Sequence, residues 1–250
     1  MGGGDTMGEW KRPEYLFRLL LVVVLALFGL ARLPPKSVPS SGDLQLPGVE
    51  GEKLVALTFD DGPRPGTTDC LLDGLAQRGV KATFFLVGTQ ISYAPELVER
   101  MVREGHQIGV HTLEHTAVAG LSREEFAHQV EGTRRWLCQL VGERELWLRP
   151  PYGIVDEHTA QWADSPIVLW SVDPEDWRDT DTRRITQHLL THTGDGDIIL
   201  LHDIYPSSVD SALAAVDGLR ERGFRFVTVE QLLERRGIVP QNGQIYRQAG

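Results

Sequence analysis

Residues 53–79 read KLVALTFDDGPRPGTTDCLLDGLAQRG. Lys53–Phe59 is a short apolar run of the kind that forms a buried strand. Asp60-Asp61-Gly62-Pro63 interrupts it with turn residues, and Thr67–Arg78 then carries helical spacing up to a stop before Gly79. The same strand, turn and helix pattern recurs downstream. Strands are predicted at Thr83–Val87, Gln107–Val110, Leu146–Leu148, Ile167–Trp170, Asp197–Leu201 and Arg225–Val227. Helices are predicted at Ala94–Glu104, Ser122–Leu140, Asp156–Ala163, Thr182–Leu190, Val209–Arg222 and Val229–Leu233. Ser122 and Glu125 form a capping box, and Phe126, Val130, Thr133, Leu137 and Leu140 line one face of the helix behind them. Alternation of this kind specifies an α/β fold with a parallel sheet, open or closed into a barrel. Asp60-Asp61, His111, Arg149, Asp173 and His202-Asp203 each follow a strand, and gathering that many strand ends at one mouth favours the barrel.

Outward from this domain the chain changes character. Lys11, Arg12 and Arg18 precede an unbroken apolar stretch from Leu19 to Ala31. A full membrane span takes about 20 apolar residues, so this run suits a secretory signal, with Gly29-Leu30-Ala31 as a small-x-small cleavage site, or a marginal membrane anchor. Residues 1–32 are therefore expected to hold a cytoplasmic stub plus the signal peptide or anchor, and residues 33–51, rich in Pro, Ser and Gly, a linker. The folded domain is expected over 52–237, with a loose tail over 238–250. An extracytoplasmic location follows, either tethered to the membrane or secreted.

The 250-residue chain has a net charge of −10, and because residues 1–36 carry five basic against three acidic side chains, the remainder stands at −12. Such a domain repels phosphate backbones, which excludes nucleic acid as a natural partner, while a neutral glycan meets no such barrier. Cys70 and Cys138 fall on helices that are not expected to be neighbours, so two separate buried thiols are predicted rather than a disulfide.

Five short segments carry chemistry. Asp60 and Asp61 sit side by side at a strand end, where one carboxylate can hold a metal and leave the other as a general base. His111 and His115 lie four apart, so that one helical turn would aim both at a single ion. With Asp61 they make two nitrogens and one oxygen, the donor set of a catalytic zinc site. The zinc-peptidase pattern is absent, because Thr112 stands where that pattern needs a Glu. In Arg149-Pro150-Pro151-Tyr152-Gly153 the prolines stiffen a turn that could hold the Tyr152 N–H toward an oxyanion. His202 ends an apolar strand and suits a general acid if a carboxylate orients its ring. His188 and His192 share the four-residue spacing but have no acidic partner or strand end, and are read as surface residues; His106, His128 and His158 are likewise read as structural.

Taken in order, Thr58–Pro63, His111–His115, Arg149–Gly153, Asp173–Trp177 and Leu200–Asp203 resemble the five motifs of the polysaccharide deacetylase domain, carbohydrate esterase family four. The resemblance spans about residues 52–235. It implies a distorted seven-stranded (β/α) barrel, with Asp60 as general base and Asp61, His111 and His115 as ligands of a divalent metal, usually zinc. It also implies His202 as general acid oriented by Asp176, and Arg149 tuning Asp60. The Tyr152 N–H would meet the oxyanion, with Trp177 and Leu200 walling the acetyl pocket. The expected reaction is metal-dependent hydrolysis of N-acetyl groups from a glycan, with peptidoglycan N-acetylglucosamine the preferred substrate. Chitin oligomers, O-acetylated xylan and an inactive glycan-binding barrel are the alternatives.

Overall fold

The computed structural model describes residues 51–250. The expected stub, hydrophobic segment and linker therefore lie outside the described residues, apart from Gly51. Among the described residues no helix is long and apolar enough to cross a membrane.

Strand β1 (Lys53–Asp60) is the axis of the fold, buried along its length after Lys53. One edge pairs in parallel with β5 (Ile198–His202), with Ala56 opposite Ile198 and Asp60 opposite His202. The other edge is shared. Its first half, Lys53–Ala56, pairs with β6 (Phe224–Val227), and its second half, Thr58–Asp60, with β2 (Thr83–Leu86). β2 in turn pairs with β3 (Gln107–Val110). From β3 the ring closes through single-residue parallel bridges: Val110 to Leu148, Leu148 to Ile167 of β4 (Ile167–Val168), and Val172 to Ile199 of β5. The result is a parallel α/β barrel distorted as expected, in which β6 wedges against half of β1 instead of entering the ring.

The expected strands at Leu146–Leu148 and Ile167–Trp170 are thus shorter than the pattern suggests. Pro150 and Pro151 follow Arg149 directly, and Pro166 precedes β4, so the backbone lacks the N–H groups that a longer ladder needs. The gap is filled from an unexpected source. Residues 238–250 are not loose: β7 (Ile245–Tyr246) pairs in parallel with β4, Gln248 bridges Asp197 in antiparallel sense, and Ala249 is buried. The sequence hides this strap because only two residues of it form strand.

Helices cover the outside of the sheet. They are α1 (Thr68–Arg78), the single turn α2 (Gly88–Ile91), α3 (Pro95–Arg103), a long helical run α4, α5 (Glu157–Trp162), α6 (Thr182–His192), α7 (Pro206–Glu221) and α8 (Val229–Arg235). Run α4 is continuous through Arg123–Phe126, Ala127–Glu131 and Gly132–Val141. Its capping box forms as expected, with the Ser122 hydroxyl accepting from the Glu125 N–H and the Glu125 carboxylate accepting from the Ser122 N–H. Its middle segment, Ala127–Glu131, is π-helical, which periodicity did not reveal. Apolar side chains from both layers, among them Phe59, Phe84, Leu71, Leu75, Val130, Leu137, Ile199 and Leu219, make the main core, and Ala56, Phe85, Trp147, Val168 and Ile198 belong to a second, smaller cluster.

Both cysteines are free, as expected, but not buried: Cys70 lies on the exposed face of α1 and Cys138 is half-buried. His106 is a buried core residue, edge-on to Phe84, with its Nδ1 accepting the Ala82 N–H. His158 stacks on Trp162, and His188 and His192 stack on each other on α6.

Candidate active site

The strand C-termini converge on one mouth, and the loops that follow them are the tense part of the chain. All five described non-glycine residues with positive φ lie there: Asp61, Thr112, His115, Tyr152 and Glu175. A left-handed non-glycine residue costs free energy, and such residues persist where the surroundings over-determine them, commonly at functional sites.

Asp60 ends β1 and is almost fully buried. Its Oδ1 accepts a 2.8 Å bond from Arg149 Nη1, which also donates 2.7 Å to the Thr58 hydroxyl. The rest of the Arg149 guanidinium is spent on the Val168 and Leu169 carbonyls, at 3.2 and 3.0 Å, and it lies over the Phe85 ring. Arg149 has no exposed surface. Burial lowers its pKa, while Asp60 beside it works in the other direction. An ion pair so placed fixes one oxygen of Asp60 and leaves Oδ2 toward the mouth, 3.6 Å from His111 Nε2.

At Asp61 the chain turns with φ 75°, which brings the second carboxylate to the same mouth. Its Oδ1 lies 3.5 Å from His111 Nε2 and 3.2 Å from His115 Nε2. His111 Nδ1 is 2.6 Å from the Arg149 carbonyl, so Nδ1 carries the proton and Nε2 presents a lone pair. Burial pushes the His111 pKa down, favouring that neutral form. The two histidines do not share a helical turn, as the spacing suggested. They converge on a loop whose Thr112 and His115 are both left-handed.

A metal ion fits this triad. Its three donor atoms lie within 4.8 Å of one another, and Asp61 Oδ1 is buried without a hydrogen-bond partner, a costly arrangement that a cation would relieve. The surroundings are built to hold it. Gln129, from the π-helical segment of α4, accepts from the Leu113 and Glu114 N–H groups at 3.1 and 3.2 Å and donates to the Glu114 carboxylate. It thereby clamps the loop between the two histidines. Asp203 is fully buried beneath Gly62, where any Cβ would collide with its carboxylate, and accepts from the Thr68 hydroxyl. Burial pushes the Asp203 pKa up to about 7 against the lowering effect of that bond. Sequence reading missed Gln129, and placed Asp203 at a strand end without foreseeing its position beneath the turn. The one available signal for Gln129 was an amide on the apolar face of an amphipathic helix.

Opposite the triad, His202 ends β5. Its Nδ1 and its backbone N–H both reach the buried Asp176 carboxylate, at 2.8 and 2.9 Å, so the ring is oriented with Nε2 outward. Burial disfavours the imidazolium, but the bond to Asp176 and the charges of Asp176, Asp60 and Asp61 outweigh it and raise the pKa to about 9. Between His202 and the triad lies a cavity of about 450 Å³, lined by Asp60, Asp61, His111, His115, Tyr152, Trp177, Leu200 and His202. Every expected site residue except the buried Arg149 and Asp176 faces this cavity. Asp173, expected at this mouth but given no role, lines it too, as do Trp170 and Tyr205, which were not foreseen.

The profile of the family described as Polysaccharide deacetylase matches residues 48–165. A peptidoglycan-N-acetylglucosamine deacetylase of Bacillus cereus is 38% identical over 190 residues, covering 73% of this chain and 89% of its own. The chain belongs to the polysaccharide deacetylase family. The peptidoglycan-N-acetylmuramic acid deacetylase PdaC of Bacillus subtilis is 39% identical over 183 residues, 73% of this chain but only 39% of that protein's length. Among solved structures, one described as T48 deacetylase with substrate superposes with a TM-score of 0.74 at 39% identity, covering 78% of this chain and 96% of that one. Like other members of the family, this deacetylase domain offers a site for a divalent metal.

Proposed function

We propose that this protein removes acetyl groups from an N-acetylated glycan of the cell wall, with peptidoglycan N-acetylglucosamine as its substrate and zinc as its metal. The observation that carries the reading is the arrangement of two ion pairs, Asp60 with Arg149 and His202 with Asp176, around one cavity that also contains Asp61, His111 and His115. Relatives named for peptidoglycan sugars support the choice of glycan.

Asp61, His111 and His115 would hold the metal, which as a Lewis acid polarises a carbonyl and makes water a better nucleophile at neutral pH. Asp60 takes a proton from the attacking water through its free oxygen, while Arg149 keeps the other oxygen in place. As the water oxygen bonds to the acetyl carbon, negative charge develops on the carbonyl oxygen, and the Tyr152 N–H at the rim helps to stabilise it. His202 enters the reaction protonated and gives its Nε2 proton to the sugar nitrogen as the C–N bond breaks. Acetate and a free amine leave. Leu200 and Trp177 wall the space for the acetyl methyl group. The hydrophobic segment between Leu19 and Ala31 supports export, with the domain held close to the wall.

The test is acetate release from peptidoglycan and from N-acetylglucosamine oligomers by the chain stripped of metal and then restored with zinc. Zinc-dependent acetate is the expected result. Asp60→Asn should reduce turnover by orders of magnitude while zinc still binds, because the base and not a ligand is removed. Near-normal turnover in that variant would overturn the assignment of Asp60.

A further inference from the structure

A second cavity, of about 350 Å³, lies against the same triad and shares Asp61 and His115 with the first. Arg64, Val87, Thr89, Gln90, Glu114 and Ile204 complete its lining. Arg64 is the one Lys or Arg that lines either cavity. The two cavities therefore differ in character. The first has aromatic and aliphatic walls, with no arginine or lysine to meet an anion; the second presents a guanidinium.

That guanidinium is prearranged. The Arg64 N–H donates 2.8 Å to the Thr68 hydroxyl, and its carbonyl accepts from the Thr67 and Thr68 N–H groups, so its backbone is locked to the start of α1. Nη1 donates 3.2 Å to the Ile204 carbonyl, which holds the side chain against the loop after β5. Among the described residues it makes no ion pair, in a domain rich in carboxylates. Glu114, the other charged group of the cavity besides Asp61, is engaged by Gln129. A guanidinium carries five N–H donors, so about four remain without a protein acceptor. A planar donor fork of this kind matches a carboxylate bidentately, whereas hydroxyl groups of a neutral sugar do not require it.

We propose that this second cavity is a subsite for a sugar that carries a carboxylate, next to the residue being deacetylated, and that Arg64 reads that carboxylate. The proposal rests on the deacetylase reading and sharpens it. A polymer that places a neutral N-acetylated sugar in the first cavity and an acidic neighbour in the second alternates in charge. N-acetylglucosamine linked to a carboxyl-ether sugar has this pattern where that carboxyl is free rather than amide-linked to a peptide, so the reading narrows to such stretches of glycan; chitin lacks the pattern altogether.

The experiment uses the zinc-loaded full chain and three tetrasaccharides. One alternates N-acetylglucosamine with N-acetylmuramic acid bearing a free carboxylate, the second is the same molecule with that carboxylate converted to its amide, and the third is the N-acetylglucosamine tetramer. Wild-type kcat/KM should favour the acid over the amide by about tenfold, the scale of one charge-assisted pair at a partly exposed site, and mainly through KM. Arg64→Gln should bring that ratio close to one, and Arg64→Lys should retain part of it. Calorimetric binding of the acid and the amide reads the same ratio without turnover. Equal handling of acid and amide by the wild type, or an unchanged ratio in a folded, zinc-binding Arg64→Gln, overturns the proposal. Absence of acetate from all three glycans would instead defeat the deacetylase reading, and the binding ratio would still decide the role of Arg64.

Discussion

Changing Asp176 to asparagine separates the charge of this carboxylate from its shape. In the native site Asp176 accepts two hydrogen bonds, from Nδ1 and from the backbone N–H of His202, and is fully buried. Asparagine offers one oxygen and one NH₂ group, so it can satisfy only one of those donors, and the other faces an N–H. The unsatisfied donor alone costs about 1–3 kcal/mol of stability. The larger effect is on protonation. His202 stands at about 9 against an ordinary value of 6.5, a preference for the imidazolium worth about 3 kcal/mol. Because the folded pKa is the higher one, this stabilisation is fully present below pH 6.5 and is lost as pH rises through about 9. The same sign governs activity: a general acid at His202 works while protonated, so kcat/KM should fall on the alkaline side near pH 9. Asp176→Asn removes the main raising influence and leaves burial, so the alkaline limb should move down by one to two units or more. A return to about 6.5 would leave roughly one ring in thirty protonated at pH 8, against about nine in ten before. The assay is the pH profile of kcat/KM for acetate release, with a folding curve at each pH. An alkaline limb that stays at pH 9 in the variant would refute the link between Asp176 and the charge on His202.

Arg149→Met should destabilise the fold by about 3–5 kcal/mol in urea unfolding, because it strands the buried Asp60 carboxylate and two carbonyls. A loss under about 1 kcal/mol would contradict the pairing. Gln129→Glu should weaken zinc binding by about 10–100-fold in a chelator competition, since it sets two carboxylates together above the histidine loop. Adding Glu114→Gln restores a complementary pair and should recover most of that affinity; a double variant as weak as the single one would show that the clamp is not what holds the loop.

Much of this protein is legible in the chain alone. The apolar run before Asp60 and the recurrence of strand, turn and helix determine a parallel α/β fold, because side-chain period and turn residues act locally. Asp60, Asp61, His111, Arg149 and His202 were readable as candidates because each falls at or just beyond a strand end, where parallel folds gather their chemistry; His115 was readable from its four-residue spacing to His111, and Asp176 only from the resemblance to the family. Their partners were not readable. That His111 and His115 meet across two left-handed residues, that Gln129 holds their loop from a π-helical segment, and that Asp203 lies under Gly62 depend on contacts between segments far apart in the chain. The strap made by Ile245–Tyr246 escaped for the same reason: two residues carry no period, and only the ladder missing beside β4 gives them a place. Local sequence determines which elements form and which groups they carry. Tertiary packing decides which donors meet which acceptors, and so which carboxylate is free to act and which arginine is left for a ligand.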